Sequence, residues 1–203
     1  PEVAKKNNMT WEEHLALLEQ HHTSGTDRGL SYNVVFRLLN AADYGVPQMR
    51  HRVIIVGFRS DFNASWSFPE ALTRWQTVRD AIADLPDPRA LTKTPGVYNH
   101  EYRDGARCYP GHSGSIMDEP SKTIKAGAHG VPGGENMVAL DDGTVRYYTV
   151  RESARIQTFP DNWRFSSSWT ESMRQIGNAV PVRLAKVVGD SVFEQMKGMV
   201  GNG

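Results

Sequence analysis

The chain has 203 residues and a mass of 22.7 kDa, enough to bury a core as one domain or one domain with a small lobe, and too little for two full-sized domains. Hydrophobic residues at 39% and charged residues at 23%, with 11 Pro and 18 Gly, exclude a disordered, collagen-like or coiled-coil chain. Lysine plus arginine and aspartate plus glutamate both number 23, so no whole-chain field selects nucleic acid or membrane, and the single cysteine excludes an internal disulfide or a cysteine-rich zinc site.

In chain order, Thr10-Trp11-Glu12-Glu13 has capping-box spacing ahead of Leu15, Leu17 and Leu18, which predicts a helix from Thr10 to Gln20 closed by Gly25. Ser31 to Asn40 is rich in Tyr, Val, Phe and Leu, and Arg52 to Phe58 is a short apolar β-branched run of the kind buried on both faces; two strands therefore flank a polar turn. Pro47 is placed to start a helical turn carrying Gln48, Arg50 and Arg52. From Ser60 to Glu119 the prolines interrupt every pattern and predict a loop-rich lobe, with one helical piece at Thr77–Leu85. Asp141-Asp142-Gly143 predicts a tight turn between Met137–Leu140 and Val145–Tyr148. Thr149-Val150-Arg151-Glu152 repeats the capping-box spacing before a helix that Pro160 is expected to stop. After Gly177–Pro181 a last helix carries an apolar stripe through Val182, Ala185, Val188, Val192, Phe193 and Met196. No run is long and apolar enough for a membrane span, and a cytoplasmic location is expected.

The basic residues are mostly arginine, 16 of 23, and between Arg28 and Arg59 five arginines face only Asp43. Arginine's planar fork suits phosphate oxygens and base edges, although a solvated basic face has the same composition. Cys108 with His112 is the other chemical candidate, as a thiol nucleophile, but no strand-to-helix elbow or helix start surrounds it. His14, His21 and His22 have the wrong spacing for metal ligands on one helix face, and no metal is expected.

Three blocks in fixed order carry a more specific signal. Asn40-Ala41-Ala42-Asp43-Tyr44-Gly45-Val46-Pro47-Gln48-Met49-Arg50-His51-Arg52, followed by Val53–Phe58, resembles motif VIII of the DNA cytosine-5 methyltransferases with its Gln-x-Arg-x-Arg core. Arg151–Pro160 resembles their motif IX, and Gln175-Ile176-Gly177-Asn178-Ala179-Val180-Pro181 their motif X. The resemblance implies the C-terminal part of a doubly wound α/β fold that depends on S-adenosylmethionine, with a small irregular DNA-recognition lobe. Residues 1–59 would end the catalytic domain, 60–148 form the target recognition lobe, and 149–203 hold motifs IX and X and the returning helix.

By the same resemblance, Arg50 and Arg52 assist the flipped cytosine, with Arg52 favoured for its polar edge, because a base extruded from duplex DNA must be held. Gln48 holds the turn or meets the DNA backbone. Asn178 and Ala179 lie beside S-adenosylmethionine, with Gly177 allowing close backbone approach and the amides ahead of the last helix offering unpaired donors. Arg103, Arg107, His100 and His112 are candidate DNA contacts, Lys122 and Lys125 candidate phosphate contacts, and Arg151 and Arg155 structural. The family's Pro-Cys nucleophile loop, glycine-rich cofactor motif and Glu-Asn-Val motif do not occur in the sequence, and Cys108 follows Arg107 inside the variable stretch. The expected partners are double-stranded DNA and an N-terminal half of the enzyme, and the chain alone is expected to be inactive and to self-associate through exposed apolar surface. The alternative is a non-catalytic DNA-binding subunit or a fragment of a split enzyme.

Overall fold

The computed structural model describes residues 8–14, 16, 17, 32–62, 64, 66–90, 96–110, 113–126 and 136–200. The expected helix end at Gly25 and the candidate contact His112 lie outside them. In order the elements are α1 (helical at residues 11–14, 16 and 17), β1 (Tyr32–Asn40), a 3-10 turn (Ala41–Tyr44), β2 (His51–Arg59), a second 3-10 turn (Ser60–Phe62) and α2 (Val78–Ile82). Three short strands follow, β3 (Ser115–Ile116), β4 (Met137–Ala139) and β5 (Val145–Tyr147), and then α3 (Val150–Ile156), α4 (Trp169–Asn178) and α5 (Val182–Val200).

The described residues form two compact units. The first draws on Pro1–Leu38, Val53–Pro69 and Asp190–Gly203. At its start the capping box closes as expected: Glu13 N donates to Thr10 Oγ1 at 3.2 Å and Thr10 N to Glu13 Oε2 at 2.8 Å. Strands β1 and β2 pair in a two-stranded sheet. The expectation that Arg52–Phe58 is buried on both faces fails, since exposed and half-buried residues alternate along β2 and only Phe58 is buried. Leu38 is 61%, Val53 58% and Ile55 68% exposed, and Phe193 and Met196 of α5 are exposed as well. The sequence has the composition of a central strand, but two strands cannot cover each other's faces, so the apolar side chains meet solvent. Trp66 packs edge-on to Phe68 at 4.6 Å and donates to Ser191 Oγ at 3.2 Å.

The second unit comprises Leu39–Arg52 and Glu70–Gly189. Its core gathers Val78 and Ile82 of α2, Val138 of β4, Tyr148, Val150, Ala154 and Ile156 around α3, and Met173 and Ile176 of α4, with Ile124 and Phe165 from loops. In the sheet of order β3-β4-β5, β3 is parallel and β5 antiparallel to β4. Gly143, with φ of 80°, makes the turn between β4 and β5 where Asp141-Asp142-Gly143 predicted it. The predicted helix at Thr77–Leu85 contracts to α2 with Thr77 and Asp80 as its capping box.

Helix α3 begins at the predicted box, with Thr149 as cap and Glu152 as its reciprocal partner. It ends before Pro160 for a local reason. Thr158 sits in the left-handed region at φ 61°, Thr158 N donates to Arg155 O at 2.8 Å and Phe159 N to Ala154 O at 2.8 Å, a Schellman closure that satisfies the terminal carbonyls without the proline. Helix α4 is not predicted from the sequence at all. Its signals are Ser168 accepting from Glu171 N at 3.3 Å and the buried pair Met173 and Ile176 three residues apart.

Candidate nucleotide and cofactor site

The first side of the site is built by Asn40. Its side-chain oxygen accepts from Ala42 N at 3.4 Å, capping the 3-10 turn, and from Arg50 N at 3.2 Å, so one amide ties both ends of the turn between β1 and β2. Gly45 closes that turn at φ 78°, and the Arg183 guanidinium lies against it so closely that a Cβ there would be 2.7 Å from Nε. Pro47 does not start a helical turn, contrary to expectation. Residues 47–49 run extended beside Ser121, with Ser121 N donating to Pro47 O at 2.9 Å and Met49 N to Ser121 O at 2.8 Å. A partner strand segment outcompetes the helical preference of Pro at a first position, because each bond satisfies a buried backbone group.

Gln48 is fully buried and holds this junction. Its Oε1 accepts from Ile124 N at 2.9 Å, and its Nε2 donates to Gln157 Oε1 at 3.2 Å. Gln157 in turn donates to Ile176 O at 2.7 Å and Ala179 O at 3.3 Å. Arg50 is 1% exposed, and its guanidinium donates to Ile124 O at 3.1 Å, Gly177 O at 2.6 Å and Ala179 O at 3.1 Å. Burial, aided by neighbouring Arg52, pulls its pKa down to about 10, still charged at neutral pH. In this arrangement Arg50 faces three backbone carbonyls and no groove. Arg52 is half-buried and donates to His51 O at 2.6 Å, so of the two arginines it is the one that reaches the surface.

The second side is the Gly177–Pro181 stretch. Close backbone approach at Gly177 is found, but the partner is protein: a Cβ there would stand 2.4 Å from Ala126 N and 2.5 Å from Lys125 C. Gly177 and Asn178 end α4 and do not form a free loop. Most of the amides around the start of α5 are not open donors. Pro181 has none, Val182 N donates to Gln157 O at 3.1 Å, Arg183 N to Thr158 Oγ1 at 2.9 Å, and Ala179 N back to Gln175 O at 3.1 Å. What this stretch presents outward is the Asn178 side chain and Val180, which is 46% exposed.

The candidate DNA contacts separate. Arg103 is exposed, its guanidinium 4.2 Å from the Trp169 ring centroid, and Arg107 is exposed. Lys125 is exposed; its backbone N–H donates to Asn136 Oδ1 at 3.0 Å. Half-buried Lys122 reaches Ser113 Oγ at 3.5 Å. His100 does not belong with them: it is 1% exposed, with Nδ1 2.9 Å from Thr149 Oγ1 and Nε2 2.7 Å from Pro86 O. Arg151 is structural as expected, its fork donating to Tyr98 O, Pro160 O and Trp163 O, while Arg155 holds Asp84 and Asp161. Its guanidinium keeps both carboxylates below their usual range. Cys108 is exposed. Sequence reasoning missed the Arg146–Glu152 pair, buried and bidentate at 2.7 and 2.6 Å, and Trp169 under Arg103.

Among the described residues no group of three or more His, Cys, Asp or Glu is arranged to hold a metal, and no helix is long and apolar enough to cross a membrane.

The sequence profile of the C-5 cytosine-specific DNA methylases matches residues 7–194. The Type II methyltransferase M.MthTI of Methanothermobacter thermautotrophicus is 38% identical over 195 residues, covering 84% of this chain and 59% of that protein. The Type II methyltransferase M.BsuRI of Bacillus subtilis is 36% identical over 193 residues, covering 79% and 42%. The chain thus spans about half the length of the curated relatives it matches. The S. pombe Dnmt2 methyltransferase superposes with a TM-score of 0.61 at 20% identity over 92% of this chain and 62% of that one, and the Entamoeba histolytica methyltransferase EhMeth with 0.61 at 13% over 91% and 58%. The fold is the mixed α/β fold of these methyltransferases. With the profile matched across nearly its whole length, the chain belongs to the C-5 cytosine-specific DNA methylase family.

Proposed function

We propose that this chain is the C-terminal part of a Type II DNA methyltransferase that transfers a methyl group from S-adenosylmethionine to C5 of cytosine in a specific duplex sequence. The observation that carries the reading is the hydrogen-bonded junction in which the Gln48–Arg52 stretch and the Gly177–Ala179 stretch are held together through Arg50, Gln48 and Gln157. It places the strand entry that resembles motif VIII beside the turn that resembles motif X. Arg52 is the group that meets the extruded cytosine, since its guanidinium lies at the surface next to that junction.

S-adenosylmethionine supplies the methyl group. The outward amide of Asn178 and the isopropyl group of Val180 fit a contact made by side chains, whereas the main-chain amides of Ala179, Val182 and Arg183 are already engaged. Attack on cytosine C6 requires a thiolate, and the one cysteine of these 203 residues, Cys108, is exposed and outside this junction. The nucleophile therefore belongs to a further portion of the enzyme, which also covers the apolar residues of β1 and β2. The DNA-reading surface lies within residues 60–148. Arg103, Arg107, Lys122 and Lys125 contact DNA there, with the Arg103 guanidinium over the Trp169 ring, 4.2 Å from its centroid, so that its fork is held before binding.

Incubation of the chain with duplex DNA and labelled S-adenosylmethionine, with and without an N-terminal portion bearing a Pro-Cys loop, tests this reading. Incorporation is expected only in the mixture, and incorporation by the chain alone overturns the division of labour. In the active mixture, Arg52→Ala is expected to lower kcat/KM by on the order of 10²-fold or more while the melting transition stays in place, as befits a surface contact to the reacting base. DNA binding that persists while the mixture never methylates favours the second reading, a recognition subunit without catalysis, for which the oriented Arg103 is the supporting feature. Arg103→Ala is then expected to weaken specific DNA binding by about tenfold, as loss of one arginine contact to a base edge does.

A further inference from the structure

Arg50 was expected from the sequence to touch the flipped nucleotide, yet it is among the most deeply buried large side chains of the described residues. Its two terminal nitrogens serve three carbonyls that lie 74, 127 and 129 residues away along the chain. The same carbonyl-bearing segments are gripped a second time: Ile124 through its N–H to Gln48, and Ala179 through its C=O from Gln157. Gln48 and Gln157 are bonded to each other at 3.2 Å, so the contacts close a ring running from Gln48 to Ile124, Arg50, Ala179, Gln157 and back. The ring has no slack at Gly177, where the backbone of Lys125 and Ala126 leaves no room for a methyl group. Arg52 stands two residues beyond one side of this ring, and Asn178 lies between two of the carbonyls on the other.

We propose that Arg50 is a positioning residue, which sets the Arg52 strand entry and the Asn178 turn at one fixed separation and so couples the nucleotide and cofactor contacts without touching either ligand. This rests on the reading of Arg52 and Asn178 given above. Only arginine serves three carbonyls in one plane; a lysine ammonium keeps the charge but is a single point that cannot span them. The coupling follows from the ring being closed: Arg50 and Gln48 each make two of its bonds, so loss of either side chain loosens the restraint on both segments.

The experiment compares Arg50→Lys with Gln48→Met, which breaks the ring at a residue that carries no charge. In the isolated chain, hydrogen exchange is expected to accelerate at the Ile124 and Ala179 amides in both variants. Unchanged exchange at those amides overturns the inference whatever the chain does catalytically. In the complemented enzyme, KM for S-adenosylmethionine is expected to rise by about tenfold and kcat to fall by on the order of 10²-fold, as for a small misplacement of oriented groups. The salt dependence of DNA binding stays at its wild-type slope. A slope reduced by about 0.9 in Arg50→Met, which removes the charge, with KM for S-adenosylmethionine unmoved, marks Arg50 as a phosphate contact and overturns the inference while the proposed activity stands. Failure of the unaltered mixture to methylate removes the proposed activity and leaves the exchange result to decide on the ring. If Arg50→Lys does not fold, Gln48→Met carries the same exchange and KM readouts.

Discussion

Replacing Arg146 by methionine is expected to destabilise the second unit by about 3–5 kcal/mol, the cost of leaving a buried carboxylate without its partner. Arg146 and Glu152 are 6% and 1% exposed at their side chains and joined by two bonds of 2.7 and 2.6 Å. Glu152 cannot turn to water for compensation, because its Oε2 also accepts the Thr149 N–H at 2.8 Å as the return half of the α3 capping box. One substitution therefore removes an ion pair and loosens a helix start. A urea titration checks it: the midpoint should fall at an unchanged slope, whereas Arg79→Ala, which breaks exposed pairs to Asp118 and Asp141, should leave the midpoint nearly where it was. Equal midpoints for the two variants would show that the buried pair is not a support of the fold. Arg146→Met combined with Glu152→Leu should recover part of the loss, since it removes the stranded charge but not the need for a cap.

Gly177→Ala is expected to lower stability by about 1–3 kcal/mol, against the direction helix propensity gives. Alanine is favoured over glycine inside helices by about 1 kcal/mol, and Gly177 is helical. At this site, however, the new methyl would stand 2.4 to 2.6 Å from backbone atoms of Lys125 and Ala126, which have no rotamer to yield with. The backbone must part, and the 2.6 Å bond from Arg50 to Gly177 O is strained first. Gly189→Ala in α5 is the control, where nothing lies within 4 Å and the same substitution should stabilise by about 0.5–1 kcal/mol. A thermal melt of the two variants gives opposite signs if the close approach is real, and the same sign if it is not.

Much of the local structure was legible because its causes are local. The capping boxes at Thr10 and Thr149 join residues three apart, the Gly143 turn needs a positive φ that glycine provides, and the β-branched runs of β1 and β2 favour extended chain wherever they pack. The end of α3 is not legible from residue types, because a Schellman closure at Thr158 is uncommon for a β-branched residue and Pro160 is the louder signal. Helix α4 is not legible in the sequence because its apolar face is narrow and its stability comes from Met173 and Ile176 joining a core contributed by other elements.

Three blocks in a fixed order made the family readable from residue order alone, along with most element starts and the single cysteine. Which polar side chains are available for chemistry followed instead from packing between segments remote in sequence. Gln48, Arg50 and His100 have the residue types of surface contacts and became interior struts, while Arg52, Arg103 and Arg107 kept their solvent. The physical reason is that an arginine's use depends on which carbonyls, carboxylates or ligands lie within hydrogen-bonding reach. For Arg50 those carbonyls come from residues 74 to 129 positions away, a distance over which neither residue type nor periodicity carries information.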